Sequence, residues 1–367
     1  MASAAEQRLV VAAARQSPAL LGWLMGWRPA RVHFRFHDHL QAPRARGTAV
    51  ARLHRGIGKT TQVAVAAAWE IGNNPSIRVK YVAQTDDESA KTTRLVRAIM
   101  GRPEYRSVFP SVRIDPRERS GHRFTVEVEG RAARDATLEA HGIFGRAGGR
   151  FDLLIVDDAC DLRNAVQQPA LREQVKEAFW NIWRPMADRS APKPPRIWVV
   201  GTPWHVDDLL ADLAAKYPEA LLHEPVVGDN SPWPEVFDAE AIASLRADMP
   251  AAAFARAYEL TPVSGEDLVF PEAWVKPCCR LEPPEAPGHH RIATIDWGFT
   301  ERKRDGDPDY SVLLVGDRNP DGIVVLRRML RMRADYPTFR DLAVAETARL
   351  GVRTIYAEAN GPQKGLV

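Results

Sequence analysis

Between about residues 48 and 227, short apolar runs alternate with longer amphipathic ones. The short runs predict strands at 48–54, 78–84, 123–128, 153–157 and 196–201, and the 3.6-residue spacing between them predicts helices at 58–71, 88–100, 171–186 and 206–216. Strands that alternate with helices build a mostly parallel sheet covered on both faces. A helical segment at about 3–27 precedes this region and runs into a polar stretch rich in His and Arg. Prolines then crowd 225–290, interrupted by one predicted helix at 239–260, as in a small subdomain followed by a linker. From 291 a new pattern begins, with strand-like runs at 291–297, 310–317 and 322–330, a helix at 338–350 and a strand at 353–358. The expected organisation is a helical segment at 1–45, an α/β domain at 46–227, a small subdomain and linker at 228–290, and a second α/β domain at 291–367.

Composition narrows the class. The 367 residues are 45% hydrophobic and 26% charged, as in a globular protein of more than one domain. No apolar run approaches the ~18 residues of a membrane span, and the first thirty residues lack the basic–apolar–small order of a signal peptide. Cys278 and Cys279 are adjacent and Cys160 is remote, which excludes a disulfide framework, a CxxC motif and a cysteine zinc site, and makes a reducing cytoplasm the expected setting. The formal charge of +3 does not by itself announce nucleic acid. Lysines number nine and arginines forty-one. The arginine fork suits phosphate, although a GC-rich genome produces the same bias.

The sharpest local feature is Arg55-Gly56-Ile57-Gly58-Lys59-Thr60, between a predicted strand and a predicted helix. A phosphate chain needs a turn with converging backbone N–H groups, which glycine permits. It also needs a lysine for the β/γ oxygens and a hydroxyl for Mg²⁺, here Lys59 and Thr60. The usual GxxxxGK[ST] pattern would place a glycine at position 53, where this chain has Leu53. The complementary acid lies in Asp152-Leu153-Leu154-Ile155-Val156-Asp157-Asp158, an apolar run that ends in two carboxylates, where ligands bind in such sheets. Asp157 is expected to reach Mg²⁺, directly or through water, and Asp158 to orient or deprotonate the attacking water. Many ATPases place a glutamate there, one methylene longer than Asp158. A third string, Gly201-Thr202-Pro203-Trp204-His205, closes an apolar strand with a polar residue able to sense a γ-phosphate. Read singly, these strings are equally an ordinary strand-to-helix turn, a pair of helix-capping aspartates and another strand-to-helix turn.

Together and in this order they resemble the large terminase subunit of tailed bacteriophages, the ATPase–nuclease that packages DNA. The resemblance spans most of the chain. It runs through Arg55-Gly56-Ile57-Gly58-Lys59-Thr60 as a Walker A loop without its first glycine, Tyr81-Val82-Ala83-Gln84, the stretch 145–150 leading into the Walker B strand, and Gly201-Thr202-Pro203-Trp204-His205 as the coupling motif. Trp233-Pro234-Glu235 and the stretch 254–258 resemble the segment between motor and nuclease. The fold implied is a P-loop ATPase domain with a mostly parallel sheet, then an RNase H-like α/β domain. The implied nucleotide contacts are Gly56, Gly58, Lys59, Thr60, Thr61, Asp157 and Thr202, with ATP as substrate and Mg²⁺ held by Thr60 and Asp157. Arg55 would reach the γ-phosphate within its own subunit, and Arg146 would act as an arginine finger towards a neighbouring one.

For the C-terminal domain the resemblance implies a two-metal nuclease using Mg²⁺ or Mn²⁺, with carboxylates from separate strands converging on ions ~4 Å apart. Asp296 on the first strand and Glu358 on the fourth are the expected ligands, with Asp309 as an accessory acid. The family carries a third essential carboxylate after a fifth strand, whereas this chain ends at Val367. The nuclease is therefore expected to be C-terminally incomplete and weak or inactive, with the ATPase less affected. Double-stranded DNA, a small terminase subunit, the portal protein and further copies in a ring are the implied partners. The implied setting is the cytoplasm of an infected bacterium, transiently at the procapsid portal, without a membrane. Two other readings remain open: a helicase-like DNA-dependent ATPase, and a non-catalytic prophage remnant that binds DNA or partners.

Overall fold

Three helices open the chain, α1 (Ala4–Gln16), α2 (Pro18–Leu24) and α3 (Arg31–Gln41). The last falls where only a polar His/Arg stretch was expected. Val32, Phe36 and Leu40 recur every fourth residue and are buried, and His33 and His37 lie on the same buried face. The histidines are tolerated there because they are hydrogen-bonded. The backbone N–H of Ala30 donates to His33 Nδ1 (2.8 Å), so His33 Nε2 carries the proton and donates to the Ile57 carbonyl (3.0 Å). His37 Nε2 lies 2.8 Å from Gln62 Oε1.

The computed structural model describes residues 4–44, 47–118, 120–128, 135–146, 148–191, 193–262, 278–279, 289–298, 310–320, 322–332 and 334–357. The chain divides into two units, Met1–Leu268 and Val269–Val367. The first contains a seven-stranded sheet built from β1 (Thr48–Leu53), β2 (Val79–Ala83), β3 (Arg123–Phe124), β4 (Leu138–Gly142), β5 (Leu153–Asp157), β6 (Arg196–Gly201) and β7 (Leu221–Glu224). Its order is β3-β4-β2-β5-β6-β1-β7, and every neighbouring pair is parallel except β3–β4. Burial on both faces explains the unbroken apolar run of β5. Leu153 and Ile155 enter the core on one face, and Leu154 and Val156 enter the core on the other. Crossover helices include α4 (Lys59–Asn73), whose run Val63 to Ala68 is wholly buried, α5 (Asp86–Gly101), α6 (Pro103–Val108), α7 (Pro169–Glu177) and α8 (Leu209–Lys216).

Several expected elements differ. The strand read at 123–128 shrinks to β3 and a single bridge from Val126 to Ile114, antiparallel at the sheet edge. The helix read at 171–186 starts at Pro169 and widens into π-type turns over Ala178–Trp183 before a 3₁₀ turn at Arg184–Met186. The helix read at 206–216 begins only at Leu209, because Asp208 caps it. The helix read at 239–260 breaks at Pro250 into α9 (Ala239–Asp248) and α10 (Ala251–Ala257). These two helices share a small core of Val226, Ile242 and Phe254, with Phe237 and Tyr258 against it.

The second unit holds β8 (His290–Asp296), β9 (Ser311–Arg318), β10 (Val324–Met332), α11 (Tyr336–Arg349) and β11 (Thr354–Ala357). The strand order is β10-β9-β8-β11, with β8, β9 and β10 antiparallel in turn and β11 parallel to β8. Three antiparallel strands and one parallel strand make this a mixed sheet. Phe339 and Ala343 of α11 cover one face, against Ala293, Ile295, Trp297, Leu313 and Val315. Among the described residues, no helix is long and apolar enough to cross a membrane.

Candidate nucleotide site

Three adjacent strands, β5, β6 and β1, bring the candidate residues to one edge of the sheet. After β1 the chain turns through Arg55-Gly56-Ile57-Gly58, and α4 starts at Lys59. Gly56 (φ +80°) and Gly58 (φ +79°) adopt the left-handed conformation that side chains disfavour. The turn is anchored from several sides. Ile57 is buried and its carbonyl accepts from His33, while the Arg55 N–H donates to the Ala257 carbonyl (2.9 Å). A Cβ at Gly56 would lie 2.7 Å from Phe237 Cζ, so the ring of Phe237 closes directly over the glycine. The result is a helix N-terminus whose first N–H groups are available to an anion.

Lys59 is buried at the base of this turn. Its ammonium donates to Thr202 Oγ1 (3.0 Å) and the His54 carbonyl (3.4 Å) and lies 3.8 Å from Asp158 Oδ2. The Thr202 hydroxyl in turn donates to the Leu53 carbonyl (3.0 Å), and its backbone N–H donates to Asp158 Oδ1 (3.2 Å). One threonine thus ties the end of β1, the lysine and the second aspartate together.

The two aspartates at the end of β5 diverge. Asp158 has φ +43°, which turns its carboxylate back over β6 with 43% of the side chain exposed. Asp157 is 2% exposed, and its Oδ2 accepts a 2.5 Å hydrogen bond from the Tyr81 hydroxyl. Burial first, and the neighbouring Asp158 charge second, push the Asp157 carboxyl above the usual carboxylate range, against the pull of Tyr81, Thr60 and Lys59. Asp157 Oδ1 is buried and has no hydrogen-bond partner.

These residues open into a cleft of about 210 Å³ whose wall includes Arg55, Thr60, Asp157, Asp158, Thr202 and Trp204. The exposed Arg55 guanidinium lies 5.1 Å from the centre of the Trp204 ring. The orphaned Asp157 Oδ1 and the Thr60 hydroxyl are hard oxygen donors in one wall. They fit Mg²⁺, which takes one or two protein oxygens and fills its octahedron with water and phosphate. Among the described residues no group of three His, Cys, Asp or Glu could hold a metal, so a protein-only cage is not present there. Thr61 is half-buried in the first turn of α4 and is not part of the cleft wall. Arg146 is exposed between β4 and β5 and does not line the cleft.

Some contributors carried no sequence signal of their role. Tyr81 appeared only as part of a family string. Gln84 donates to the Asp161 carboxylate, and both line the cleft. Asp208 is fully buried and accepts from the backbone N–H groups of Trp204 (2.7 Å), His205 (3.2 Å) and Ala211 (2.8 Å), which fixes the loop after Thr202. A polar residue immediately ahead of an amphipathic helix is the signal that could have found it.

In the second unit Asp296 ends β8 and lines a hollow of about 400 Å³ together with Thr294, Val312, Leu314 and Tyr356. Asp309 and Glu358 lie outside the described residues.

No protein-family profile and no curated protein matches the chain. Among solved structures, the chain is similar to several phage large terminases. The HK97 bacteriophage large terminase aligns with a TM-score of 0.46 at 17% identity, over 91% of this chain and 70% of that one. The large terminase ATPase domain of Thermus phage P74-26 aligns at 0.46 and 19% identity, over 66% of this chain and 97% of that one. The large terminase of the thermophilic bacteriophage D6E gives 0.41 and 10%, over 92% and 84%.

Proposed function

We propose that this chain is an ATP-hydrolysing subunit of a phage DNA-packaging motor, translocating double-stranded DNA, with a metal-dependent nuclease module in its second unit. The observation that carries the ATPase reading is the joining of Lys59 and Asp158 through Thr202, at the N-terminus of α4 and beside the cleft that Thr60, Asp157 and Asp158 line.

On this reading the α4 N-terminus and Lys59 receive the β- and γ-phosphates of ATP, and Thr60 and Asp157 hold the ion. Mg²⁺, when bound, neutralises charge on the phosphate oxygens. Asp158 orients the attacking water and takes its proton, which requires its carboxylate to leave the Thr202 N–H. Arg55, at the cleft wall beside Trp204, adds positive charge towards the γ-phosphate, and Thr202 senses its loss. Arg146, exposed on its loop, is the candidate for contact with a neighbouring subunit. The coupling to DNA, the ring of copies and the small-subunit and portal partners rest on the terminase-like order of motifs. DNA contacts in such a motor are made mainly to phosphates, insensitive to sequence and weakened by salt.

The test is ATP turnover with and without double-stranded DNA, comparing the native chain with Lys59→Ala. Mg²⁺-dependent turnover that rises with DNA and is lost in Lys59→Ala is the expected result. A folded native chain that binds no ATP overturns the reading in favour of a non-catalytic remnant, and strand displacement on forked DNA would favour the helicase-like alternative. The nuclease module is tested separately by Mn²⁺-dependent plasmid cleavage that Asp296→Ala abolishes.

A further inference from the structure

Tyr81 is 1% exposed on β2, paired with Ile155 one strand away on β5, and its hydroxyl reaches past that pairing to Asp157. A phenol has a single proton, and here it is committed to Asp157 Oδ2 at 2.5 Å. Thr92, on α5 and also buried, lines the same cleft wall as this tyrosine. Since the phenol proton is already used, any hydrogen bond between the two would have to be donated by the Thr92 hydroxyl. The phenol's hydrogen bond therefore ends on one carboxylate oxygen.

The consequence lies at the other oxygen. Asp157 Oδ1 is buried and has no hydrogen-bond partner, and Asp157 belongs to the cleft wall that also contains Thr60. A carboxylate free to rotate could offer either oxygen or both. With Oδ2 held by a rigid, fully packed phenol, only Oδ1 is presented, in a monodentate orientation. Mg²⁺ demands near-ideal octahedral geometry at short distances, whereas Ca²⁺ is larger and accepts bidentate carboxylates in irregular shells.

We propose that Tyr81, backed by Thr92, is a positioning residue that locks Asp157 so that a single oxygen faces the nucleotide-bound metal, and that this lock selects Mg²⁺ over Ca²⁺. The inference rests on the ATPase reading and deepens it. Nothing in the lock requires Tyr81 to touch nucleotide.

The experiment measures retention of a fluorescent ADP analogue by the full chain while Mg²⁺ or Ca²⁺ is titrated, with a metal-free arm in EDTA. Native protein is compared with Tyr81→Phe and Thr92→Val, whose melting temperatures establish folding. Removing a partner that orients a metal ligand costs about 10-fold or more in metal affinity. Tyr81→Phe is therefore expected to raise the half-saturating Mg²⁺ about 10-fold, leaving the metal-free arm unchanged and the Ca²⁺ arm nearly so. Thr92→Val shifts Mg²⁺ in the same direction by less. Unchanged Mg²⁺ half-saturation in the folded Tyr81→Phe protein overturns the proposal, and so does an equal loss in all three arms, which would mark Tyr81 as packing only. Should Tyr81→Phe not fold, an unshifted Mg²⁺ curve for Thr92→Val overturns it instead. Failure of native protein to retain the analogue with or without metal refutes the nucleotide site itself, a separate outcome.

Discussion

The Lys59 ammonium and the Thr202 hydroxyl lie 3.0 Å apart, joining the glycine turn after β1 to the end of β6. Lys59 must give up part of this partnership to reach a nucleotide. Thr202→Val keeps the shape and removes the hydroxyl, leaving the buried ammonium short of one acceptor and the Leu53 carbonyl short of a donor. Such losses cost about 1–3 kcal/mol. The variant is expected to lose about that much stability without nucleotide and clearly less with saturating MgADP, because phosphate then supplies the missing acceptor for Lys59. Urea unfolding with and without MgADP measures this. Equal losses in both conditions would mean that Lys59 never leaves Thr202.

Gly56 and Gly58 share a positive φ but not their surroundings. A Cβ at Gly56 meets Phe237 Cζ at 2.7 Å, whereas a Cβ at Gly58 meets nothing within 4 Å. Gly58→Ala should therefore cost only the left-handed backbone penalty of about 1 kcal/mol, and Gly56→Ala should cost more, since the ring must also move. Adding Phe237→Ala to Gly56→Ala should recover the steric part, so that the double variant is more stable than the summed single effects imply. Strict additivity in chemical denaturation would show that Phe237 yields freely and does not brace the loop.

Strands buried on both faces were the legible part of this fold. β5 and, after Arg196, β6 are continuous apolar runs, β1 is broken only by Arg52, and the polar residues that follow them, Lys59 and Thr60, Asp157 and Asp158, and Thr202, stand out as strings. β4 was not read, because its alternation is only five residues long and its buried positions after Leu138 are the small Ala140 and Gly142; Glu139 is matched by Lys80 on β2, a partner 59 residues away. β7 is four residues long and only partly buried, too little for a pattern. α3 was hidden by counting its histidines as polar, although burial and specific acceptors make them part of the core. The grouping of cleft residues follows from strand order. Tyr81 donating to Asp157 across 76 positions, and the left-handed Asp158, are products of register and backbone geometry that no local string encodes.

Asp317 of the second unit is 2% exposed and accepts from Arg291 (2.7 and 2.9 Å) and Arg327 (2.7 Å). Asp317→Ala takes the shared carboxylate from two guanidiniums that are themselves partly exposed, so the cost should fall below that of a fully buried pair, at about 2–3 kcal/mol. The two units are separate contact clusters. Asp317→Ala is therefore expected to lower the unfolding transition of the second unit while ATP turnover and the transition of the first are retained. Joint loss of both would show that the units unfold as one.

His37 and His39 give stability a specific pH window. Burial is the first cause in both, with Gln62 and His33 facing His37 and the charge of Arg44 facing His39, and both are lowered from 6.5 to about 4. Between those values the unfolded chain takes up protons that the folded chain refuses. The contribution is complete above pH 6.5 and is lost as pH falls towards 4. His37 is almost fully buried and should account for about 2–3 kcal/mol, and the half-exposed His39 for less. Glu139, held at about 2 by hydrogen bonds from His141 and Lys80, and Asp317, held at about 2 by Arg291 and Arg327, lose their contributions mainly below this window. Asp157, raised by burial, acts in the opposite sense. Comparing native protein with His37→Gln removes these common terms. Gln cannot titrate, so the unfolding free energy of the variant, measured in urea from pH 7 to 4.5, should fall less steeply than that of the native chain. Parallel slopes would show that His37 is protonated in the folded state.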